Sequence, residues 1–306
     1  MTTLSPSERG ETFKAPMLDV HDLITSIIIE QLEKGVIPWE KPFTGPDFGG
    51  MPINFTTGNH YRGINIILLW CAAMKRGHQT QEWASFKQWN AKGENVRKGE
   101  KGNLVVYYDT FAKEVDGEIQ NIPFLKTSYV FNRSQLKGYV APEVMVTDKL
   151  SEVERFNTVE KFIADTKAMI EFHKGAAYYM PLEDKIMMPM PEQFIATERC
   201  SATENYHSVL FHELTHWTGA TNRLQRINHK KFGDKNYATE ELVAELGAAF
   251  LCAGFGITTA EKGNHAAYIQ SWLKALKENN RYITTAASEA SKAVDYLNGL
   301  QTLQPN

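Results

Sequence analysis

His212, Glu213 and His216 form an H-E-x-x-H run. Two histidines four positions apart on a helix project from one face, one turn above the other. Both imidazoles then reach a single tetrahedral ion at about 2.0–2.1 Å. The glutamate between them reaches a water on that ion and takes its proton as the water attacks a carbonyl. This is the chemistry of amide hydrolysis, since phosphodiester cleavage usually recruits carboxylate-rich two-metal sites. A pentapeptide is a short signal, so its surroundings matter. Tyr206, Val209, Leu210 and Phe211 supply an apolar helix face ahead of it, and Gly219 offers a helix stop just beyond.

The third ligand is sought on a second helix. Glu240, Glu241 and Glu245 lie in an amphipathic segment after a 24-residue gap from His216, which suits a helix-loop-helix return. Glu241 is assigned as the metal ligand. Glu245, one turn on and on the same face, is expected to fix a histidine tautomer, that of His212. Glu240 points about 100° away and is expected in solvent. Two His and one Glu favour zinc, while manganese, cobalt or nickel fit the same donors. Tyr237 has two readings: a donor to the oxyanion formed during attack, or a packed tyrosine at a helix start.

The elements that must position these residues divide into two halves. Asp19 to Lys34 and Gly63 to Gly77 read as helices, the second apolar nearly all round. Glu82 to Lys92 reads as a short third helix. Leu104 to Phe111 and Phe124 to Phe131 alternate like strands around Asp116-Gly117. Ser151 to His173 reads as one long amphipathic helix. Ala176–Met180 and Lys185–Met188 read as short strands around Glu183-Asp184, either a plain hairpin or an edge for an extended substrate. Helices follow at about Ala202–Thr218, Thr239–Ala253, Ala266–Asn279 and Thr284–Asn298. The fold class is α+β in two domains: residues 1–140, α+β, and residues 151–306, mainly helical with a small antiparallel sheet. Gly138 to Lys149 suits a linker, and Met1 to Lys14 a frayed tail.

The 306 residues allow two cores of ordinary size, and the 42% hydrophobic content is that of a soluble globular chain. The longest apolar run, Ile66 to Met74, is far too short to cross a bilayer, so no membrane partner is expected. Cys71, Cys200 and Cys252 are far apart and read as buried free thiols, which fits a reducing cytoplasm. The net charge of −3 argues against a simple polybasic nucleic-acid binder. Its distribution says more: residues 60–140 hold 12 Lys+Arg against 7 Asp+Glu, and residues 141–306 hold 17 against 21.

Single-stranded nucleic acid is held by aromatic stacking platforms and cations that track phosphates. The first half has both residue types. Trp83, Phe86 and Trp89 lie three apart beside Lys87 and Lys92. Arg97, Lys98 and Lys101 make a basic turn ahead of Tyr107 and Tyr108, which must point to opposite strand faces. Tyr61 and Arg62 precede a helix start at Gly63 whose N–H groups can hold a phosphate. Each also has a plain reading as core or solvated surface.

With both halves in view, nearly the whole chain resembles the ArdC-type antirestriction proteins, whose domains recur in plasmid primases of the TraC type. The resemblance rests on His212-Glu-Leu-Thr-His-Trp-Thr-Gly219, Asn222-Arg-Leu224, Glu241-Leu-Val-Ala-Glu245, Tyr178-Tyr-Met-Pro181 and Asp184-Lys-Ile-Met-Met-Pro189 in the second half. In the first half it rests on Gly35-Val-Ile-Pro-Trp39, Tyr61-Arg-Gly-Ile-Asn65 and Val96-Arg-Lys-Gly-Glu-Lys-Gly102. It implies a single-stranded DNA-binding N-terminal domain, which adds Asn65 to the DNA-contact candidates, and a zincin-like metallopeptidase C-terminal domain. It implies a mobile-element protein that protects incoming DNA from host restriction; with the two halves joined, a protein of the host restriction system is a candidate substrate, which the resemblance itself does not assign. The alternative is a DNA-shielding protein whose metal site is structural or captures a partner.

Overall fold

The computed structural model describes residues 19–40, 50–78, 80–115, 118–141, 152–227, 235–259 and 265–301. Within these, 109–115, 118–123, 152–154, 235–237 and 265 are described by backbone alone. The tail Met1–Lys14, the Asp116-Gly117 turn, most of the expected linker and the side chain of Tyr237 therefore lie outside the described residues.

The first half opens with α1 (Val20–Glu33), where the Asp19 carboxylate accepts from the His21 N–H at 3.1 Å. Ile24, Ile28 and Leu32, at helical spacing, turn into the core. After β1 (Ile53–Asn54) comes α2 (Ile64–Arg76), apolar nearly all round and buried as that pattern requires. Gly63 caps α2 at φ 56°, ψ −138°, a backbone region that is essentially glycine's own.

The segment expected as one helix from Glu82 divides instead. Glu82–Ser85 is β2, and a capping box between Ser85 and Gln88 starts α3 (Phe86–Ala91). β3 (Asn103–Val115) and β4 (Glu118–Asn132) then form a long antiparallel hairpin. The sheet order is β1-β2-β4-β3, with β1 parallel to β2.

The second half begins with α4 (Glu152–Thr166), shorter than the sequence pattern implied. Lys167 sits at φ 57°, and the Thr166 hydroxyl turns back onto the Ile163 carbonyl at 2.6 Å, which ends the helix. Met169–His173 is β5, parallel to β7 (Lys185–Pro189), and β6 (Tyr178–Met180) is antiparallel to β7. The small sheet, β5-β7-β6, is thus mixed rather than antiparallel. Ile170 fits either period, so the apolar pattern alone did not reveal the break. Four helices complete the chain: α5 (Ala202–Thr218), α6 (Lys235–Phe255), α7 (His265–Glu278) and α8 (Tyr282–Gly299).

One apolar cluster joins the halves. Ile24, Ile28, Ile67 and Trp70 pack with Leu246, Phe250, Ile283 and Ala287. A second cluster joins α4, the small sheet and α5 through Phe162, Ile186, Met188, Phe211 and Leu214, with Leu251 and Cys252 of α6. Helix α6 lies between the two, which is why its middle is apolar on every side. Each fully buried Ile or Leu contributes about 1.5–3 kcal/mol, so this sandwich fixes α6 firmly against α5. All three cysteines are buried thiols outside any disulfide.

Candidate metal centre and nucleic-acid surface

A capping box starts α5: the Ser201 hydroxyl accepts from the Glu204 N–H, and the Glu204 carboxylate accepts from the Ser201 N–H. Leu210, Phe211, Leu214 and Trp217 anchor the helix in the second cluster. His212 and His216 then converge, their Nε2 atoms 3.2 Å apart. Glu241 reaches over from α6, with one carboxylate oxygen 3.6 Å from His212 Nε2 and the other 3.6 Å from His216 Nε2. Ligands about 2.0–2.1 Å from one tetrahedral ion stand roughly 3.3–3.4 Å from each other, so these three fit such an ion. They are the one candidate metal cluster among the described residues.

The carboxylates around His216 favour positive charge at this position. His216 Nδ1 lies 3.2 Å from a carboxylate oxygen of Glu240, so Nδ1 donates and Nε2 is left as a lone pair facing the other imidazole. Glu240 is held in turn by Arg226, whose Nε and Nη2 each lie 3.0 Å from its oxygens. Burial pushes the Glu240 carboxyl up, but the hydrogen bonds from His216 and Arg226 prevail and keep it below the usual carboxylate range. Burial likewise lowers His216, and Glu240, Glu213 and Glu241 outweigh it to raise the ring's pKa. Glu213 is buried between the two histidines in sequence.

Two expectations change here. The carboxylate bonded to a ring nitrogen of the pair is Glu240, not Glu245, and the histidine it holds is His216, not His212. Glu245 is buried and accepts from the Trp39 indole N–H at 3.2 Å. The reason is the crossing of α5 and α6. The His216 ring stands between two consecutive carboxylates, so Glu240 is drawn out of solvent although it lies about 100° from Glu241 on the helix.

The approach of the helices has its own cause. A β-carbon at Gly247 would lie 2.5 Å from the Thr215 methyl, so only glycine allows this spacing. Gly219 also serves close packing: its φ is −78°, and a β-carbon there would meet the His216 carbonyl at 3.0 Å.

Sequence reasoning missed the two arginines after the motif. Arg226 also donates to the Thr215 carbonyl at 2.7 Å, capping the end of α5. Arg223 donates to the Trp217 carbonyl at 2.6 Å, stacks 3.8 Å over the Trp217 ring and pairs with Asp184 in the β6–β7 turn. The signal was available: two cations three apart directly after a helix end, the first of them inside the Asn222-Arg-Leu224 run.

The nucleic-acid candidates scatter. Trp83 and Trp89 are fully buried, so neither ring can stack on a base; Phe86 alone of that trio is exposed. Asn65 is used internally, its amide bridging the Val106 carbonyl at 2.6 Å and the Val106 N–H at 2.7 Å. Tyr61 is half-buried against Asn54. The Gly63 N–H, a candidate phosphate donor, is taken by the Ser291 hydroxyl at 2.7 Å. Arg62, Lys87, Arg97, Lys98 and Lys101 are all exposed, with Arg62 paired to Asp295 and Arg97 to Glu100. Tyr107 and Tyr108 point to opposite faces, and both are exposed. Arg76, His78, Arg97 and Glu100 line a cavity of about 540 Å³. Burial and Arg76 hold the His78 imidazole down to about 4, so the arginines carry the positive charge there.

Comparison with known proteins follows the same division. Residues 18–131 match the family described as the N-terminal domain of anti-restriction factor ArdC, and residues 157–289 match a zincin-like metallopeptidase family. The antirestriction ArdC protein from plasmid R388 is similar in its metal-free crystal structure, with 39% identity and a TM-score of 0.75 over 92% of this chain and 98% of that one. Its Mn(II)-bound structure gives 38% and 0.73, over 93% and 98%. Protein y4eC of Sinorhizobium fredii is 35% identical over 93% of both chains. DNA primase TraC of Escherichia coli is 35% identical over 90% of this chain, which spans 27% of the primase.

Proposed function

This chain belongs to the ArdC family of antirestriction proteins, and on that premise we propose that it is a metal-dependent peptidase that works while its N-terminal half holds single-stranded DNA. The observation that carries the peptidase reading is the convergence of His212, His216 and Glu241 beside a buried Glu213. The cofactor is a divalent metal, zinc or manganese, held by those three side chains.

A divalent ion in this donor set supplies Lewis acidity, lowering the pKa of a water towards about 7 and polarising a carbonyl. The protein supplies the rest. Glu213 takes the water's proton and passes it to the leaving amine. Glu240 keeps the His216 proton on Nδ1, and Arg226 keeps Glu240 ionised and in place. β6 is an outer strand of the small sheet and offers main-chain groups for an extended protein substrate.

The DNA reading rests on exposed Lys87, Lys98 and Lys101, the Arg76–Arg97 cavity and the exposed aromatic residues of the β3–β4 hairpin. None of these presents a base-reading pair, so binding is tolerant of sequence and falls with salt. Restriction of incoming DNA is then countered where the strand and a host restriction protein meet.

The test uses purified protein with zinc or manganese, fluorescently labelled casein and a poly-dT strand. Glu213→Gln is expected to retain metal, read by elemental analysis, and to lose casein cleavage. Unchanged cleavage rejects Glu213 as the base. No cleavage by the unaltered protein with either metal, with or without the strand, rejects the general peptidase reading.

A further inference from the structure

We propose that the cleft between the start of α2, the β3–β4 hairpin and α8 is a site for single-stranded DNA, so that the C-terminal half shares in holding the strand. The proposal rests on the DNA-binding reading above and extends it from the Arg76–Arg97 cavity, at the end of α2, to a second locus at its start. The cleft encloses about 290 Å³. Arg62 and Asn65 border it on one side, β3 at Tyr107 and Tyr108 on a second, and Ser288 and Lys292 on a third.

Each wall has a property that suits one ligand. Tyr108 is 66% exposed, large for an aromatic residue on a packed protein; Tyr107, on the opposite face of β3, lies under Lys126 Nζ, 5.6 Å from its ring centroid. A ring face in water at a cleft edge is the platform on which an unpaired base stacks. A base inside a duplex has both its faces covered by its neighbours, which selects a single strand.

The cations complete the match. Arg62 is paired with Asp295, and Lys292 Nζ lies 2.7 Å from Glu289. All four groups stand partly in solvent, and such pairs contribute little, so a phosphate can displace either carboxylate at small cost. The two cations come from the two halves of the chain.

Helix α8 is divided accordingly. Ser288 and Lys292, one turn apart, are its partly exposed residues at the cleft, while Thr284 and Ser291 border the cleft but are buried, as are Ile283, Ala286, Ala287, Ala290 and Leu297. The same α8 packs against α6, the helix that carries Glu240 and Glu241, so a strand in the cleft touches the scaffold of the metal centre.

The test is fluorescence anisotropy of a labelled 20-mer of dT. Tyr108→Ala is expected to weaken binding by about five- to 150-fold, and Tyr108→Phe, which keeps the ring, to leave it unchanged. Lys292→Glu, in the C-terminal half, is expected to weaken it by about tenfold at low salt. Lys274→Glu on α7 makes the same charge change away from the cleft and is expected to have under a threefold effect, roughly a screened long-range term. Melting temperatures confirm that each variant is folded. If the unaltered protein binds but Tyr108→Ala and Lys292→Glu bind as tightly, the cleft assignment is wrong and the DNA reading stands. If the unaltered protein does not bind the 20-mer, both fail.

Discussion

Thr215 and Gly247 face each other across the α5–α6 contact so closely that a β-carbon on Gly247 would lie 2.5 Å from the Thr215 methyl and 2.6 Å from its hydroxyl. That contact sets how near Glu241 comes to the histidine pair. Gly247→Ala is expected to destabilise the fold by about 1–3 kcal/mol, as overpacking does. It also pushes the third ligand outward, so metal affinity falls with stability. Thermal melting and a metal titration on the same sample check both. A variant that melts and binds metal like the parent refutes the role of this contact.

Glu240 and Glu241 are neighbours with different tasks, and substitution separates them. Glu241→Ala removes a ligand and is expected to abolish stoichiometric metal binding. Glu240→Ala leaves all three ligands but frees the His216 tautomer and strands Arg226, and is expected to cost about 10–100-fold in metal affinity. Competition with a chromogenic chelator measures both. Equal losses contradict the division.

Asp184 gives a pH signature. The Arg223 guanidinium, buried beside it, holds the Asp184 carboxyl below its usual range. A lowered folded pKa stabilises the protein above the unfolded value of about 3.9, and that contribution disappears as pH falls through the folded value. Asp184 sits at φ 51°, which asparagine tolerates, so Asp184→Asn removes charge without backbone strain. The Asp184 side chain is 44% exposed, so solvent screens the pair, and the variant is expected to be less stable by under about 1 kcal/mol at neutral pH, with the gap closing below about pH 4. Urea titrations at pH 7 and pH 3 check it. A gap of the same size at both rules out the ion pair as its source.

Trp83 and Lys98 test which side of the N-terminal half meets DNA. Trp83 is wholly buried, so Trp83→Ala is expected to cost about 3–5 kcal/mol of stability. Lys98→Ala and Lys101→Ala are expected to leave stability within about 0.5 kcal/mol and to lower the salt dependence of single-strand binding, each by about 0.7 in slope. Melting curves and anisotropy at several salt concentrations separate the two. Parent-like stability for Trp83→Ala contradicts its placement.

Most of the helical frame was legible because its apolar residues repeat with one clear period. The grouping of His212, His216 and Glu241 was expected for the same reason, from spacing along helices, and the structure brings the three together. What sequence did not reveal depends on how elements cross. Glu240 was expected in solvent because a single helix was considered, and only the position of α5 brings His216 against it. Gly247 carries no meaning until Thr215 is opposite. Trp83 has the residue type of a stacking platform, and burial alone removes it from that role. The strand at Met169–His173 was hidden because Ile170 satisfies both periods.

The most direct test of the metal centre is an anomalous diffraction measurement at the zinc or manganese edge on crystals of the full chain. One peak is expected, about 2.0–2.1 Å from His212 Nε2, His216 Nε2 and a Glu241 oxygen, with a coordination position left open near Glu213. A peak bound elsewhere, or none with metal in excess, contradicts the centre and every step assigned to Glu213.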